Sequence, residues 1–128
     1  MKEYLLDTHT LIWFLEGNNL LPENVRNIII NTENKVLISI ATLWEMSIKI
    51  SIGKLSLSRS LEEIIRKLSD ENIAIIPIEP SDVLRVLTMP FHHKDPFDRI
   101  IVAQSMAGNI TVLSNEQLFD QYGVLRLW

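Results

Sequence analysis

The chain contains no cysteine, which excludes disulfides, thiolate metal sites and a cysteine nucleophile. It also has no apolar run near the roughly 20 residues that cross a bilayer, and its start, Met1-Lys2-Glu3-Tyr4-Leu5-Leu6-Asp7, lacks the apolar stretch of a secretory signal. The expectation is a cytoplasmic protein with no membrane association. Positive charge is short too: 12 Lys and Arg against 16 Asp and Glu leave a net charge of −4, which argues against holding nucleic acid by bulk electrostatics. The histidines His9, His92 and His93 have neither the His-x-Glu nor the His-x-x-x-His spacing of a zinc site, so surface or supporting roles are expected of them. Repeats, linkers and low-complexity stretches are absent as well.

What the chain does have is apolar residues, 47% of the total. At 128 residues it fits one domain over 1–128 with its own core. An apolar share this high also suggests that part of the surface is covered by a partner. Leu11, Trp13, Phe14, Leu20, Leu21, Ile48 and Ile52 exceed what one face of each helix needs to bury. They are the expected face for a homodimer and for a small partner that lays an amphipathic helix or extended tail into a groove.

The pattern along the chain alternates strand and helix signals. Tyr4-Leu5-Leu6 predicts a strand and Thr8–Leu15 a helix, broken at Gly17-Asn18-Asn19. Pro22 opens a helix to about Ile30, and Asn31–Asn34 is a turn. Val36–Ile40 is the second strand; the box Thr42-x-x-Glu45 then opens a helix to about Ser51, stopped by Gly53. Ser60-x-x-Glu63 starts a helix to about Ser69, and Ile73–Ile76 is a strand. Pro80-Ser81 leads into a helix over Asp82–Leu87, with a loop over Thr88–Lys94. Asp95 caps a helix with Pro96 at its first position, running to about Ala107 and closed by Gly108. Ile110–Leu113 is a strand, Ser114-x-x-Gln117 caps a short helix, and Val124–Trp128 is the last strand. Such alternation implies a three-layer α/β/α fold with a mainly parallel sheet of about five strands.

Four acids, Asp7, Glu45, Asp98 and Glu116, fall where apolar segments give way to helix starts. In a doubly wound fold those places share one crevice at the carboxyl ends of the strands. Carboxylates gathered there repel unless a cation sits among them, and hard oxygen donors without thiols select Mg²⁺ or Mn²⁺ over zinc. Each acid also has an ordinary local use. Asp7 can cap a helix, Glu45 can complete a capping box, Asp95 and Asp98 suit the first turn of a Pro-initiated helix, and Glu116 can be a first-turn acid. Independent capping, however, does not require all four to follow strand-like segments.

Leu5-Leu6-Asp7-Thr8-His9-Thr10-Leu11-Ile12-Trp13, Ser39-x-Ala41-Thr42-x-Trp44-Glu45-x-x-x-Lys49, His93-Lys94-Asp95-Pro96-Phe97-Asp98-Arg99-Ile100-Ile101-x-Ala103-Gln104 and Tyr122-Gly123-Val124 resemble the PIN-domain ribonucleases, most closely the VapC-type toxins of bacterial toxin–antitoxin pairs. The resemblance spans nearly the whole chain in order. It implies a metal-dependent endoribonuclease with Asp7, Glu45 and Asp98 as its acidic core, a VapB-like antitoxin as partner, and single-stranded or loop RNA as substrate. Counting back from Tyr122-Gly123, the family's fourth acid, usually Asp, falls on Glu116, with Asn115 beside it as the other register. In this scheme Mg²⁺ or Mn²⁺ held by Asp7 and Asp98 polarises the scissile phosphate, while Glu45 orients a water or a second ion.

Thr8 and Ser39 are candidates for hydroxyl contacts at the rim, or else ordinary strand-end and capping hydroxyls. Lys49, Lys94 and Arg99, with His92 and His93, form a small basic rim able to position RNA phosphates. Trp13, Phe14 and Trp44 can stack bases or belong to the core. Two other readings compete. A phosphotransfer α/β protein of the haloacid-dehalogenase type needs an Asp two residues after its nucleophile, where this chain has His9, and receiver-like domains need paired early acids that are not present. A catalytically weak PIN-fold binding module is favoured only by Glu116 standing in for Asp.

Overall fold

The computed structural model describes residues 2–128. Five strands, β1 (Glu3–Leu6), β2 (Lys35–Ser39), β3 (Ile73–Ile76), β4 (Thr111–Leu113) and β5 (Arg126–Leu127), form one sheet in the order β3-β2-β1-β4-β5. Every pairing is parallel; Leu5 lies opposite Leu37 on one side and Val112 on the other. Six helices connect them: α1 (Thr8–Leu15), α2 (Glu23–Ile30), α3 (Ile40–Ser51), α4 (Leu61–Lys67), α5 (Pro80–Thr88) and α6 (Pro96–Gly108), with a 3-10 helix at Gln117–Tyr122. This is the expected α/β architecture.

The two-residue period of a strand sends alternate side chains to opposite faces, and both faces are apolar. Tyr4, Leu6, Val36, Ile38 and Leu113 point into a core shared with Leu11 and Phe14 of α1, Val25 and Ile29 of α2, Met46 of α3 and Ile64 of α4. Leu5, Leu37 and Val112 face the other way, against Met89, Ile101, Val102 and Phe119. The sheet is thus the middle of three layers, and the strands read as near-continuous apolar runs because both faces are covered.

Local capping departs from expectation at α3. Ser39 ends β2 and caps the helix, its Oγ accepting the Ala41 N–H at 3.0 Å. The helix therefore begins at Ile40, and Thr42 is a buried first-turn residue, not a cap. The box Thr42-x-x-Glu45 does not form, which leaves the Glu45 carboxylate free for other partners. At α5 the cap is Glu79, whose N–H donates to Asp82 at 2.8 Å, and Thr88 ends the helix. Gly108 is the last residue of α6; the left-handed residue that closes it is Asn109, at φ 51°. Gly108 is constrained by space: a Cβ there would lie 2.7 Å from Ile110 Cδ1.

The apolar face expected from sequence is split. Leu11, Phe14 and Leu21 are buried in the core, so they cannot serve as a docking face. Trp13 is half-buried beside Trp128, their ring centroids 5.7 Å apart. Leu20, Ile48 and Ile52 remain exposed. Among the described residues no helix is long and apolar enough to cross a membrane.

Candidate active site

The order β3-β2-β1-β4-β5 reverses direction at β1, whose neighbours are β2 on one side and β4 on the other. A crevice opens at the carboxyl ends of strands at such a switch point, and Asp7, the residue after β1, stands there. Its backbone is extended as the cap of α1. Its Oδ1 accepts the Thr10 N–H at 3.0 Å and the Thr10 hydroxyl at 2.5 Å, and its Oδ2 accepts the Ser114 hydroxyl at 2.5 Å. The capping reading and the site reading are both satisfied, because the carboxylate that caps α1 through the Thr10 N–H is also fixed in the crevice by two hydroxyls.

Glu45 comes from the second turn of α3 and is buried. Thr8 donates to its Oε1 at 2.6 Å, and Lys49, one turn further along α3, reaches its Oε2 at 2.7 Å. That hydrogen bond holds the Lys49 ammonium above its ordinary pKa, aided by the charges of Glu45, Asp95 and Asp98 and opposed by partial burial.

Asp98 does not follow a strand. It arrives from α5 through the loop that ends at Asp95, in the first turn of α6, and Asp95 Oδ1 caps that turn by accepting the N–H groups of Phe97 and Asp98 at 2.8 and 3.2 Å. Burial, reinforced by the charges of Asp95, Asp7, Glu45 and Glu116, pushes the Asp98 carboxyl up to about 8. Carboxylates from four separate chain segments therefore act on one another in this crevice.

Glu116 follows β4 and is half-exposed. Its Oε1 accepts the Leu118 N–H at 3.1 Å as the cap of the 3-10 helix, while its Oε2 lies 3.8 Å from His93 Nε2. Asn115 is exposed. Among the described residues no three His, Asp or Glu groups stand close enough to share an ion as placed; Asp7 is held by hydroxyls and Glu45 by a hydroxyl and an ammonium. If Glu116 is the fourth ligand, Glu116→Gln keeps a capping oxygen but should weaken Mn²⁺ binding, by roughly tenfold or more on the scale of changes beside metal ligands. Asn115→Ala should leave affinity unchanged. Calorimetric Mn²⁺ titration checks this, and the opposite order would move the site to Asn115.

Two contributors escaped the sequence reading, Thr10 and Ser114, which orient Asp7. His93, expected in the basic rim or a supporting role, lies between two acids. His93 Nδ1 accepts the Asp95 N–H at 3.1 Å, which leaves the proton on Nε2, 3.0 Å from Asp98 Oδ2. That contact is close but poorly aligned, so Nε2 makes no formal hydrogen bond. The only sequence signal was position: Thr10 three residues past a cap, Ser114 directly after a strand.

The supposed rim is rearranged as well. Ser39 is fully buried as a cap, and Thr8 is buried against Glu45. Arg99 is buried, its guanidinium donating to the carbonyls of Val86, Met89, Pro90 and His93 and to the Tyr122 hydroxyl. It fastens the loop before α6 and is not a rim contact. Lys94 is exposed, and Lys49 faces the crevice. Several clefts of the molecule lie away from the acids, such as one lined by Thr32, Lys35, Val36 and Ile73 and another by Ser47, Leu55 and Leu61.

Comparison with solved structures gives the same fold at low identity. VapBC2 from Rickettsia felis, bound to a DNA fragment from its promoter, superposes with a TM-score of 0.70 at 20% identity, covering 98% of this chain and 97% of that one. DNA-bound VapBC from Salmonella typhimurium gives 0.71 at 19% identity over 100% and 98%. A toxin–antitoxin complex from Klebsiella pneumoniae gives 0.67 at 19% over 98% and 96%. A search of curated proteins finds no match. The family model for the PIN domain matches residues 4–125, from β1 to the approach of β5, and on that match the chain belongs to the PIN domain family.

Proposed function

We propose that the chain is a Mg²⁺- or Mn²⁺-dependent endoribonuclease, the toxin of a toxin–antitoxin pair, with Asp7, Glu45, Asp98 and Glu116 as its acidic site. The observation that carries this reading is Asp98, whose carboxyl is driven to about 8 by burial and four neighbouring carboxylates. Acids concentrated to that degree form a hard oxygen donor set with surplus negative charge, which suits a divalent cation of this type. When bound, such an ion supplies polarisation of a phosphoryl oxygen and a water of lowered pKa.

The chain's own residues prepare the site. Thr10 and Ser114 fix both oxygens of Asp7, and Thr8 and Lys49 fix both oxygens of Glu45. Carboxylates held this way need little reorganisation when charge develops nearby. Lys49 and the exposed Lys94 are the ammonium groups available for backbone phosphates. Unpaired RNA is the preferred substrate because its bases are accessible.

An antitoxin partner is supported by the structural neighbours, which are two-component complexes. Exposed Leu20, Ile48 and Ile52, together with Leu84, Leu87 and Phe91, leave apolar surface for such a partner and for a second copy of the chain. The purified chain is expected to cut single-stranded RNA in Mg²⁺ or Mn²⁺, to stop in EDTA, and to stop when Asp7 is replaced by Asn. Cleavage that survives EDTA, or survives Asp7→Asn, would overturn the reading.

A further inference from the structure

Trp44 precedes Glu45 on α3, and Phe97 precedes Asp98 on α6. Their rings meet with centroids 5.2 Å apart and planes at 83°. An edge-to-face pair covers at most one face of either ring, and Trp44 is 60% exposed. A tryptophan so open is unusual, since the residue is ordinarily well buried. This one is braced by an aromatic neighbour from a second helix, directly beside two of the four acids.

We propose that Trp44, supported by Phe97, is the stacking platform for the base next to the scissile phosphate, so that the substrate class of the acidic site is nucleic acid whose bases are unpaired. This rests on the nuclease reading above. The contact with Phe97, the residue before Asp98, sets the indole at the meeting of α3 and α6, the two helices that carry Glu45 and Asp98. Bases inside a duplex have both faces covered by their neighbours, whereas an unpaired base can settle on an aromatic ring without regard to sequence. The chain's charge makes such a contact necessary. With a net charge of −4 and Lys49 already paired with Glu45, phosphate attraction alone holds a strand poorly.

The competing occupant is a protein. Ile40, Trp44 and Ile48 of α3 and Ile52, which closes it, are all exposed and recur every four residues, the spacing of a helix face that docks against another helix. What sets Trp44 apart from the three isoleucines is its place against α6: it leans on Phe97, while Ile48 and Ile52 lie one and two turns further from Glu45's end of the crevice.

The test uses the full chain with cleavage silenced by Asp7→Asn, and measures fluorescence anisotropy of a labelled single-stranded RNA. The RNA is supplied intact, with a single abasic position moved along it, and as a duplex. Trp44→Ala, on a background that circular dichroism shows to be folded, is expected to weaken binding of the intact strand roughly 5- to 100-fold, the range of base–aromatic stacking. Trp44→Phe should retain most of the affinity. At one abasic position the unmodified indole should lose its advantage, so that Trp44→Ala costs nothing further there, and the duplex should bind more weakly than the strand.

Unchanged binding by Trp44→Ala, or an equal loss at every abasic position, would overturn the platform. So would a change in molar mass by light scattering with RNA affinity intact, which would assign the stripe to a protein interface. Failure of the nuclease reading is separately visible: the otherwise wild-type chain would then neither cut RNA in Mg²⁺ nor bind the strand. If it cuts RNA and Trp44→Ala cuts equally fast, the platform alone is lost.

Discussion

Asp98→Asn is expected to abolish RNA cleavage while making the metal-free protein more stable at pH 7. The loss of activity should exceed about a hundredfold, since removing even an outer partner of a metal ligand costs roughly ten- to a hundredfold. The gain in stability follows from the carboxyl's pKa of about 8. A group whose folded pKa lies above its ordinary value of 3.8 is protonated in the folded chain over a range where the unfolded chain has released the proton. Its effect on stability is therefore most favourable below about pH 4 and is lost as pH rises through about 8.

One pKa unit corresponds to about 1.4 kcal/mol, so the strain relieved at pH 7 is of the order of 2–4 kcal/mol once charge sharing within the cluster is allowed for. Loss of a favourable first-turn acid opposes this with only about 0.3–1 kcal/mol. Urea denaturation between pH 5 and 8 in EDTA should show wild-type stability falling with pH and the Asn variant nearly flat. Parallel slopes for the two proteins would sink the assignment of Asp98 as the acid that the others repel. Asp7→Asn should behave differently. Asn keeps an oxygen to cap through the Thr10 N–H, but its amide nitrogen cannot accept the Ser114 hydroxyl as Oδ2 does, so activity should vanish and stability should fall by about 1–3 kcal/mol.

The difference between these two acids also marks how far the sequence could be read. The β3 strand at Ile73–Ile76 and the helix at Thr8–Leu15 were legible to the residue, because a short β-branched run and a cap before a helical apolar spacing have few alternatives. The start of α3 was not. Val36–Ile40 is a continuous apolar run, and only the Ser39 hydroxyl turning back to Ala41 moves Ile40 from strand to helix. Asp7 was legible as a strand-end acid, yet its orientation depends on Ser114, 107 positions away in sequence, which no local pattern reports. Asp98 was recognised within its motif but for an incomplete reason, since it enters the crevice from a loop after α5 and not from a strand. His93 was legible only as a member of a basic rim; that the Asp95 N–H fixes its tautomer and aims Nε2 at the acids depends on how the loop folds.

Arg99 is the instructive case, because its place in the same motif pointed to phosphate binding and its surroundings point to stability. Arg99 is only 4% exposed, and its guanidinium has no carboxylate within ion-pair distance among the described residues. Its donors reach Pro90 O at 2.8 Å, Val86 O at 3.0 Å, Met89 O and the Tyr122 hydroxyl at 3.3 Å, and His93 O at 3.4 Å. The ring of Phe91 covers it, 4.2 Å from the guanidinium carbon. A buried charge is tolerated only when its donors are satisfied, and here the end of α5, the loop after it and the Tyr122 hydroxyl satisfy them, so the loop and the charge hold each other in place.

Arg99→Ala strips the guanidinium donors from those carbonyls, leaving Pro90 only the Tyr122 hydroxyl and Val86 the Met89 N–H. Hydrogen bonds from charged groups contribute about 1.5–3 kcal/mol each and do not add fully, so a loss of at least about 3 kcal/mol is expected, a large part of the roughly 5–15 kcal/mol that holds such a domain together. Arg99→Lys should lose about half as much, because an ammonium keeps the charge but not the planar fork that spans several carbonyls. Tyr122→Phe removes the hydroxyl that accepts the His93 N–H at 2.9 Å and donates to Pro90 at 2.8 Å; it should cost about 1 kcal/mol and couple to Arg99 in a double-mutant cycle. Since the loop carries His93 and Asp95 to the acids, these variants should also lose cleavage, in proportion to their loss of stability. A phosphate-binding arginine at the rim would give the reverse, with weaker RNA binding, a shallower salt dependence and unchanged urea midpoints, and that result would return Arg99 to the substrate.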